Sequence, residues 1–178
     1  MKYGEAQSQH GRSIFALIVA IDEYANREVI PQLGGCLNDA EDFRSFLEAD
    51  LSVPSANIRM LTNESATRDA ILSTFKSYLL HNPKIANGDL IFFFYAGHGD
   101  SLESPAGWYP ESGRVETICP YDMSAFGRDN RTIDLDSLGE KTYGIPDRTF
   151  NALMRMLAAN KGDNIVRLAS AIRSDAFS

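Results

Sequence analysis

Cysteine is scarce in this sequence, and its scarcity excludes one class of small protein. Only Cys36 and Cys119 occur among the 178 residues. Two cysteines cannot build the disulfide framework on which small secreted domains depend. Because unpaired thiols are normal in reducing compartments, we expect a cytoplasmic protein, with the nucleus as the alternative location.

Long apolar runs and an excess of basic residues are also missing. The longest apolar stretches cover residues 14–21 and 90–96, well short of the about 20 residues that a membrane-spanning helix needs. Lysine and arginine total 17 against 24 aspartates and glutamates, which gives a formal net charge of -7. Since nucleic acids and anionic membranes are bound through basic patches, we expect neither as a partner.

Strand and helix patterns alternate through the first half of the chain. Residues 14–21 are a continuous apolar run rich in β-branched side chains, typical of a strand buried on both faces. Helical spacing follows in residues 37–47, and residues 57–61 form a short strand. Thr67 then caps a second helix, and residues 90–96 are the strongest strand. This order predicts an α/β fold, a three-layer α/β/α sandwich with a mostly parallel sheet.

The second half of the chain is less regular. Little periodicity is present in residues 98–143, apart from an apolar piece at 115–119. Helical spacing returns after Pro146, and residues 165–168 begin a fourth strand. We therefore divide the chain into a disordered tail (1–13), one domain (14–168) and an unpatterned C-terminal tail (169–178).

A histidine follows the strongest strand and is the leading candidate for chemistry. His98 lies between Gly97 and Gly99, where ligands of open parallel sheets bind. An imidazole there is suited to acid or base catalysis near neutral pH. The flanking glycines let a substrate backbone approach, with the Gly99 amide directed at an oxyanion. The alternative is a loop histidine that only hydrogen-bonds its neighbours.

Two segments of the chain resemble the caspases and metacaspases of peptidase family C14, particularly fungal metacaspases. Residues 94–100, Phe-Tyr-Ala-Gly-His-Gly-Asp, are similar to the histidine motif of the family. Residues 35–40, Gly-Cys-Leu-Asn-Asp-Ala, are similar to the metacaspase motif at the start of the first helix. Residues 119–122 and 144–150 match further segments. The resemblance implies a caspase-like fold and a cysteine endopeptidase.

The resemblance also implies roles for single residues. His98 matches the histidine that passes a proton to the leaving amine, and Gly99 supplies an oxyanion amide. Asp39 matches the acidic residue that binds a substrate arginine or lysine, and Cys36 matches a residue of the pocket wall. With Gly97, these residues form the expected substrate-binding set. The implied partner is a peptide or protein with a basic P1 residue.

The start of the first helix allows simpler interpretations. Asn38 with Glu41 resembles a capping pair, and Asp39 alone would be a plain helix cap. Cys36 lies near the helix N-terminus, a position that lowers the pKa of a thiol. As the nucleophile it is nevertheless the weaker interpretation, and Cys119 is predicted to be a small core residue.

Metacaspases often need calcium, so the resemblance makes calcium a candidate cofactor. Loop aspartates bind it in the family. Here the spacing of the available aspartates does not identify ligands, and solvated loop carboxylates explain them equally well, so the metal site is unknown. The aspartates are Asp122, Asp134, Asp136 and Asp147.

The nucleophile of the family has no counterpart in these residues. It should follow the strand that opens at residues 163–165, but no cysteine occurs there. Ala171 or Ile172 occupies its place if the register is kept. We therefore expect an incomplete caspase-like domain, truncated before the nucleophile and inactive in proteolysis.

Two other functions remain open. The first alternative is that the chain is a non-catalytic pseudoprotease that pairs with full-length relatives or binds basic peptides. A flavodoxin-like binding domain is the other alternative. It needs a phosphate-binding glycine loop after the first strand, and Gly34 with Gly35 is too sparse for one.

Overall fold

The computed structural model describes residues 12–28, 30–103, 114–124 and 142–173. These residues form an α/β fold with one mixed sheet of six strands. The strands are β1 (Ile14–Ala20), β2 (Ile58–Thr62), β3 (Leu90–Glu103), β4 (Arg114–Ile118), β5 (Ile145–Pro146) and β6 (Ile165–Arg173). The helices are α1 (Cys36–Ala49), α2 (Arg68–Thr74), which continues as a π-helical segment (Phe75–Leu80), and α3 (Asp147–Lys161).

The sheet is built around β3, which pairs along both of its edges. β1 runs parallel to one edge and has β2 as its outer parallel neighbour. Residues 99–103 of β3 pair antiparallel with β4, which pairs antiparallel with β5. β6 runs parallel to the other edge of β3. The predicted α/β fold is confirmed, but the sheet is mixed rather than mostly parallel.

The antiparallel part follows from the short connection between β3 and β4. Ten residues, 104–113, separate the two strands. Parallel neighbours need a crossover of a dozen or more residues, usually a helix, so a shorter connection returns the chain antiparallel. The sequence pattern of β4 did not reveal this direction, because the pattern of a strand does not specify its orientation.

β6 extends past the predicted end of the domain at Leu168. It pairs from Ile165 beside Ile91 to Arg173 beside Gly99, so residues 169–173 are strand rather than tail. Their local pattern is weak, and pairing with β3 supplies the order that the pattern does not. The remainder of the predicted tails, 1–11 and 174–178, lies outside the described residues.

Helices cover both faces of the sheet, which gives the three predicted layers. Phe93 and Tyr95 face an apolar cluster formed with α2, its π-helical continuation and α3. Phe92 and Phe94, which point the opposite way, pack in a cluster with α1. β1 is buried on both faces as predicted, with Phe15 at 3% exposure and the residues from Ala16 to Ala20 at 0%.

Two further expectations concern the helices. Thr67 caps α2 as predicted, since its Oγ1 accepts the Ala70 N–H at 3.2 Å. Within the described ranges, no helix is long and apolar enough to cross a membrane.

Candidate active site

His98 lies inside β3 rather than in a loop beyond its end. The strand continues to Glu103 because β4 and β6 pair with the residues around and after the histidine. The residue is 5% exposed. Side chains alternate along a strand, so the imidazole lies on the same face as Ala96, the face that α1 covers.

The loop after β1 holds the imidazole ring. The Nε2–H of His98 donates a hydrogen bond to the carbonyl oxygen of Pro31 at 2.9 Å. The ring of Tyr24 lies 5.3 Å from the imidazole centroid at an interplanar angle of 51°. Because a carbonyl can only accept, Nε2 carries the proton in the neutral ring and the lone pair lies on Nδ1.

Two buried tyrosines hold the backbone of His98. Its N–H donates to the hydroxyl oxygen of Tyr24 at 2.8 Å. Its carbonyl accepts the Tyr95 O–H at 2.7 Å and the Cys119 N–H at 3.0 Å. Burial is the main cause that raises the pKa of both tyrosines, so both hydroxyls keep their protons at neutral pH.

Gly97 makes room for these hydroxyls. A Cβ at this position would lie 2.6 Å from the Tyr95 hydroxyl oxygen and 3.0 Å from that of Tyr24. Both distances are shorter than ordinary van der Waals contact. The sequence predicts that Gly97 lets a substrate approach, but the space beside its Cα is filled by the protein itself.

Gly99 is enclosed by strands on both sides. It pairs with Ile118 of β4 and with Arg173 of β6. In a sheet the backbone N–H points toward a neighbouring strand. The oxyanion role of Gly99 therefore stays a prediction, and this double pairing argues against it.

The N-terminus of α1 is capped from the end of β1. The carboxylate of Asp22 accepts the N–H groups of Gly35, Cys36 and Leu37 at 2.9–3.1 Å. Burial alone would raise the pKa of this carboxyl, but the three backbone donors outweigh it and lower the pKa. The predicted capping pair of Asn38 and Glu41 is wrong, because the helix begins two residues before Asn38 and takes its cap from another element.

Asp39 remains an exposed carboxylate in the first turn of α1. It does not cap the helix with its side chain, since Asp22 performs that function. Negative charge is favoured at this end of a helix. Of the predicted substrate-binding residues, Asp39 is the one whose side chain faces solvent.

The two thiols are poor nucleophiles. Cys36 is 5% exposed, and burial, followed by the charge of Asp22, raises its pKa to about 12. The pKa-lowering effect expected at the helix N-terminus is therefore wrong in direction. Burial and the charge of Asp100 raise the pKa of Cys119 to about 12 as well, and Cys119 is fully buried, as predicted for a small core residue.

β6 forms the other side of His98. Its register sets Ala171 beside Gly97 and Ile172 beside His98. These are the two residues predicted to occupy the place of the nucleophile. The backbone position next to the histidine is thus occupied by residues that have no thiol.

The calcium prediction has little support among the described residues. Asp122 caps α2, since its Oδ1 accepts the Arg68 N–H at 2.8 Å. Asp147 lies alone in the first turn of α3. Asp134 and Asp136 fall outside the described residues. Across the ranges that the structure covers, no three His, Cys, Asp or Glu side chains cluster to hold a metal ion.

A cavity of about 190 Å³ opens on the opposite face of the sheet from the imidazole. Phe150 of α3 forms part of its wall, and Phe150 belongs to the cluster that Tyr95 faces. The cavity is therefore not part of the His98 site. Its other lining residues are Gly99, Glu116, Thr117, Ile118, Ile145, Asp147, Arg167 and Ala169.

Three residues that sequence reasoning missed come from the loop after β1. Asp22, Tyr24 and Pro31 lie between β1 and α1, at the carboxyl end of a strand parallel to β3. The carboxyl ends of adjacent parallel strands meet at one edge of the sheet. That rule is the signal by which the loop after β1 can be recognised from the sequence as part of the same edge as His98.

Comparison with known proteins gives consistent matches. Residues 15–139 match the family model described as metacaspase, peptidase C14 domain. Metacaspase-6 of Arabidopsis thaliana is 28% identical over 117 residues, which cover 65% of this chain and 31% of the relative. Metacaspase-1A of Aspergillus oryzae is 29% identical over 117 residues, with 63% and 26% covered. The chain thus spans less than a third of the length of these relatives.

A solved structure shares the fold. The crystal structure of a protein from Geobacter sulfurreducens superposes with a TM-score of 0.57 over 88% of this chain and 48% of that chain. The two sequences are 19% identical. A likeness at this level concerns the α/β architecture alone.

Proposed function

This chain belongs to the metacaspase, peptidase C14, family, and from that membership we propose that it forms the histidine side of a cysteine-peptidase site that binds basic peptides. The family is one of cysteine peptidases, so its substrates are peptides or proteins. The observation that carries the proposal is the imidazole of His98, held at Nε2 by the Pro31 carbonyl. We assign His98 as the general base and acid of peptide-bond cleavage.

The contact with Pro31 suits that role in both protonation states. In the neutral ring, Nε2–H donates to the carbonyl and Nδ1 has the lone pair that accepts a proton. After Nδ1 is protonated, the hydrogen bond at Nε2 persists and becomes charge-assisted. A neutral carbonyl thereby orients the ring and stabilises the imidazolium, as a third group does in other nucleophile–histidine sites.

Asp39 is the proposed partner of a basic P1 residue. Its carboxylate is exposed in the first turn of α1, whereas the carboxylate of Asp22 is occupied by three backbone donors. A free carboxylate pairs well with a guanidinium through two parallel hydrogen bonds. The net charge of -7 also favours the approach of cationic peptides.

We propose further that these 178 residues bind peptides without cutting them. Thiolate is the attacking species, and burial raises the pKa of Cys36 and Cys119 to about 12, so both thiols keep their protons at neutral pH. Neither cysteine is therefore a working nucleophile. Cleavage requires a thiolate beside His98 from outside these residues.

Peptide binding and cleavage can be tested together. We expect a fluorescent peptide with one arginine to bind more tightly than the same peptide with glutamine, and to stay uncut by mass spectrometry. Asp39→Asn should weaken arginine-peptide binding about tenfold, the effect of losing one charged pair. Asp42→Asn, an exposed change on the same helix, is the matched control.

Two results would contradict the proposal. Equal affinity for the arginine and glutamine peptides would remove the basic preference. Cleavage after arginine that disappears in His98→Ala would show that the chain is an active peptidase by itself.

Pairing with a full-length relative is a second candidate function. It is favoured by β6, whose residues 167–170 are exposed and whose outer edge has no strand partner among the described residues. Open strand edges pair readily with other chains. Co-purification of a caspase-like protein with the chain, lost after proline substitution at Ala169, would support this function, and failure to capture any such protein would reject it.

A further inference from the structure

We infer that Tyr24 and Tyr95 are positioning residues, whose hydroxyls fix the imidazole of His98 by holding the two ends of its backbone. The inference rests on the proposed role of His98 as the base. Neither tyrosine touches a reacting atom. Each acts through the histidine.

The hydrogen bonds reach both backbone groups of one residue. Tyr24 accepts the His98 N–H at 2.8 Å, and the Tyr95 O–H donates to the His98 carbonyl at 2.7 Å. The two hydroxyl oxygens lie side by side, since both are within 3.0 Å of the place where a Cβ would project from Gly97. The histidine backbone and the tyrosines therefore form one connected network, in which rotation about the His98 backbone breaks at least one bond.

Close packing at Gly97 reinforces this network. The two hydroxyl oxygens fill the place where a Cβ would project from Gly97. The peptide unit before His98 is thus pressed against the groups that bind the histidine. Because interiors are as dense as organic crystals, the backbone cannot shift without displacing both tyrosines.

The fixed backbone of His98 sets the direction of its side chain. The Cα–Cβ bond of His98 points to the α1 face, where Nε2 meets the Pro31 carbonyl at 2.9 Å. Tyr24 contributes twice, because its ring also lies 5.3 Å from the imidazole centroid. A small rotation of the His98 backbone would move Nε2 away from Pro31 and release the ring.

The sequence of β3 indicates that position 95 needs the hydroxyl of Tyr95 and not only its ring. Residues 92–94 are all phenylalanine, and Phe93 shares a face and nearly complete burial with Tyr95. Phenylalanine therefore satisfies the packing on this face. A buried hydroxyl is unfavourable unless it is hydrogen-bonded, and at position 95 it reaches the carbonyl of His98 at 2.7 Å and, at the longer distance of 3.1 Å, that of Cys119.

Tyr24→Phe and Tyr95→Phe test the inference, with Tyr78→Phe as the matched control. The Tyr78 hydroxyl is buried and has no hydrogen-bond partner among the described residues. The readouts are the ¹⁵N shifts of the His98 imidazole, assigned with His98→Gln, and the exchange rate of the His98 amide proton. The chain has three histidines, so the spectrum is simple to assign.

We expect the native protein to show the Nε2-protonated tautomer at His98. Tyr24→Phe should give a mixture of tautomers and accelerate amide exchange roughly tenfold or more, because the N–H loses its acceptor. Tyr95→Phe should have a smaller effect in the same direction, since Cys119 still donates to the His98 carbonyl. Tyr78→Phe should stay within about twofold of the native rate.

The inference would be overturned if Tyr24→Phe and Tyr95→Phe both kept the native His98 tautomer and the native exchange rate of its amide proton. It would also be overturned if Tyr78→Phe changed these two readouts as much as the other two variants do. If Tyr24→Phe does not fold, Tyr95→Phe decides the question, because it keeps one donor to the carbonyl. The measurement uses no peptide. A loss of peptide binding would therefore leave this inference standing, and its failure would leave the proposed function standing.

Discussion

The two strands that flank β3 differ sharply, although both run parallel to it. β1 is buried on both faces and pairs along both edges. β6 pairs with β3 along one edge, and its residues 167–170 are exposed. The flank that follows β1 supplies Tyr24 and Pro31 to His98, whereas β6 brings Ala171 and Ile172 beside it.

This comparison teaches that the two flanks of β3 contribute unequally to the surroundings of His98. The backbone and ring of His98 are held by groups from β3 and from the residues after β1 and β4. The described contacts that fix the imidazole do not require β6. The described contacts therefore orient the imidazole of His98, although the β6 residues beside it have no thiol.

The largest expected effect comes from matched leucines on the two flanks. Leu17 of β1 is fully buried and pairs with Phe93, while Leu168 of β6 is 38% exposed and pairs with Phe94. Leu17→Ala should lower the free energy of unfolding by about 2–5 kcal/mol. Leu168→Ala should cost less than about 1 kcal/mol. Urea denaturation measures both, and equal losses would remove the distinction between the flanks.

The next effect concerns the two carboxylates at the N-terminus of α1. Asp22→Ala removes the acceptor of three backbone donors and should cost about 1–2 kcal/mol of unfolding free energy. Asp39→Ala should change stability by less than about 0.5 kcal/mol while it weakens binding of the arginine peptide. The expected pattern separates a structural aspartate from a binding one. A larger stability loss in Asp39→Ala would reverse the assignment.

A smaller effect is expected in acid, where the Asp22 carboxylate is protonated and no longer stabilises the start of α1. The pKa of Asp22 is lower in the folded protein than the ordinary value of about 3.9 for an aspartate, so the folded state binds the proton less readily. Its stabilisation is therefore complete above about pH 3.9 and is lost as the pH falls through the lowered folded pKa. The difference in melting temperature between the native protein and Asp22→Asn should therefore become smaller below about pH 3.9. A gap that widens in acid would contradict the sign of the shift.

The smallest effect is expected at Cys36. Its side chain is buried in the α1 cluster rather than exposed in a pocket wall. Cys36→Ala should leave the affinity for the arginine peptide within about twofold of native, since small buried changes leave exposed contacts intact. Fluorescence anisotropy measures this directly. A tenfold loss would support the predicted role of Cys36 in the substrate-binding set.

Much of the architecture was predictable from local pattern. The apolar runs identified β1 and the first half of β3, and Thr67 was recognised as a cap. The mixed sheet was missed because the pattern of β4 does not specify its direction. The end of β6 was missed because its last residues gain order from β3 rather than from their own sequence.

The sequence by itself was enough to recognise the family and to single out His98, because buried strands and the glycine-flanked motif are local patterns. Only the tertiary structure revealed what orients that histidine. Pro31 and Tyr24 precede it by 67 and 74 residues, and they meet it because the ends of parallel strands converge. Every residue has a carbonyl, so no pattern marks the one from Pro31 as the partner of Nε2. The Pro31 carbonyl becomes the partner of Nε2 because β1 pairs with β3 and brings the loop after β1 beside His98.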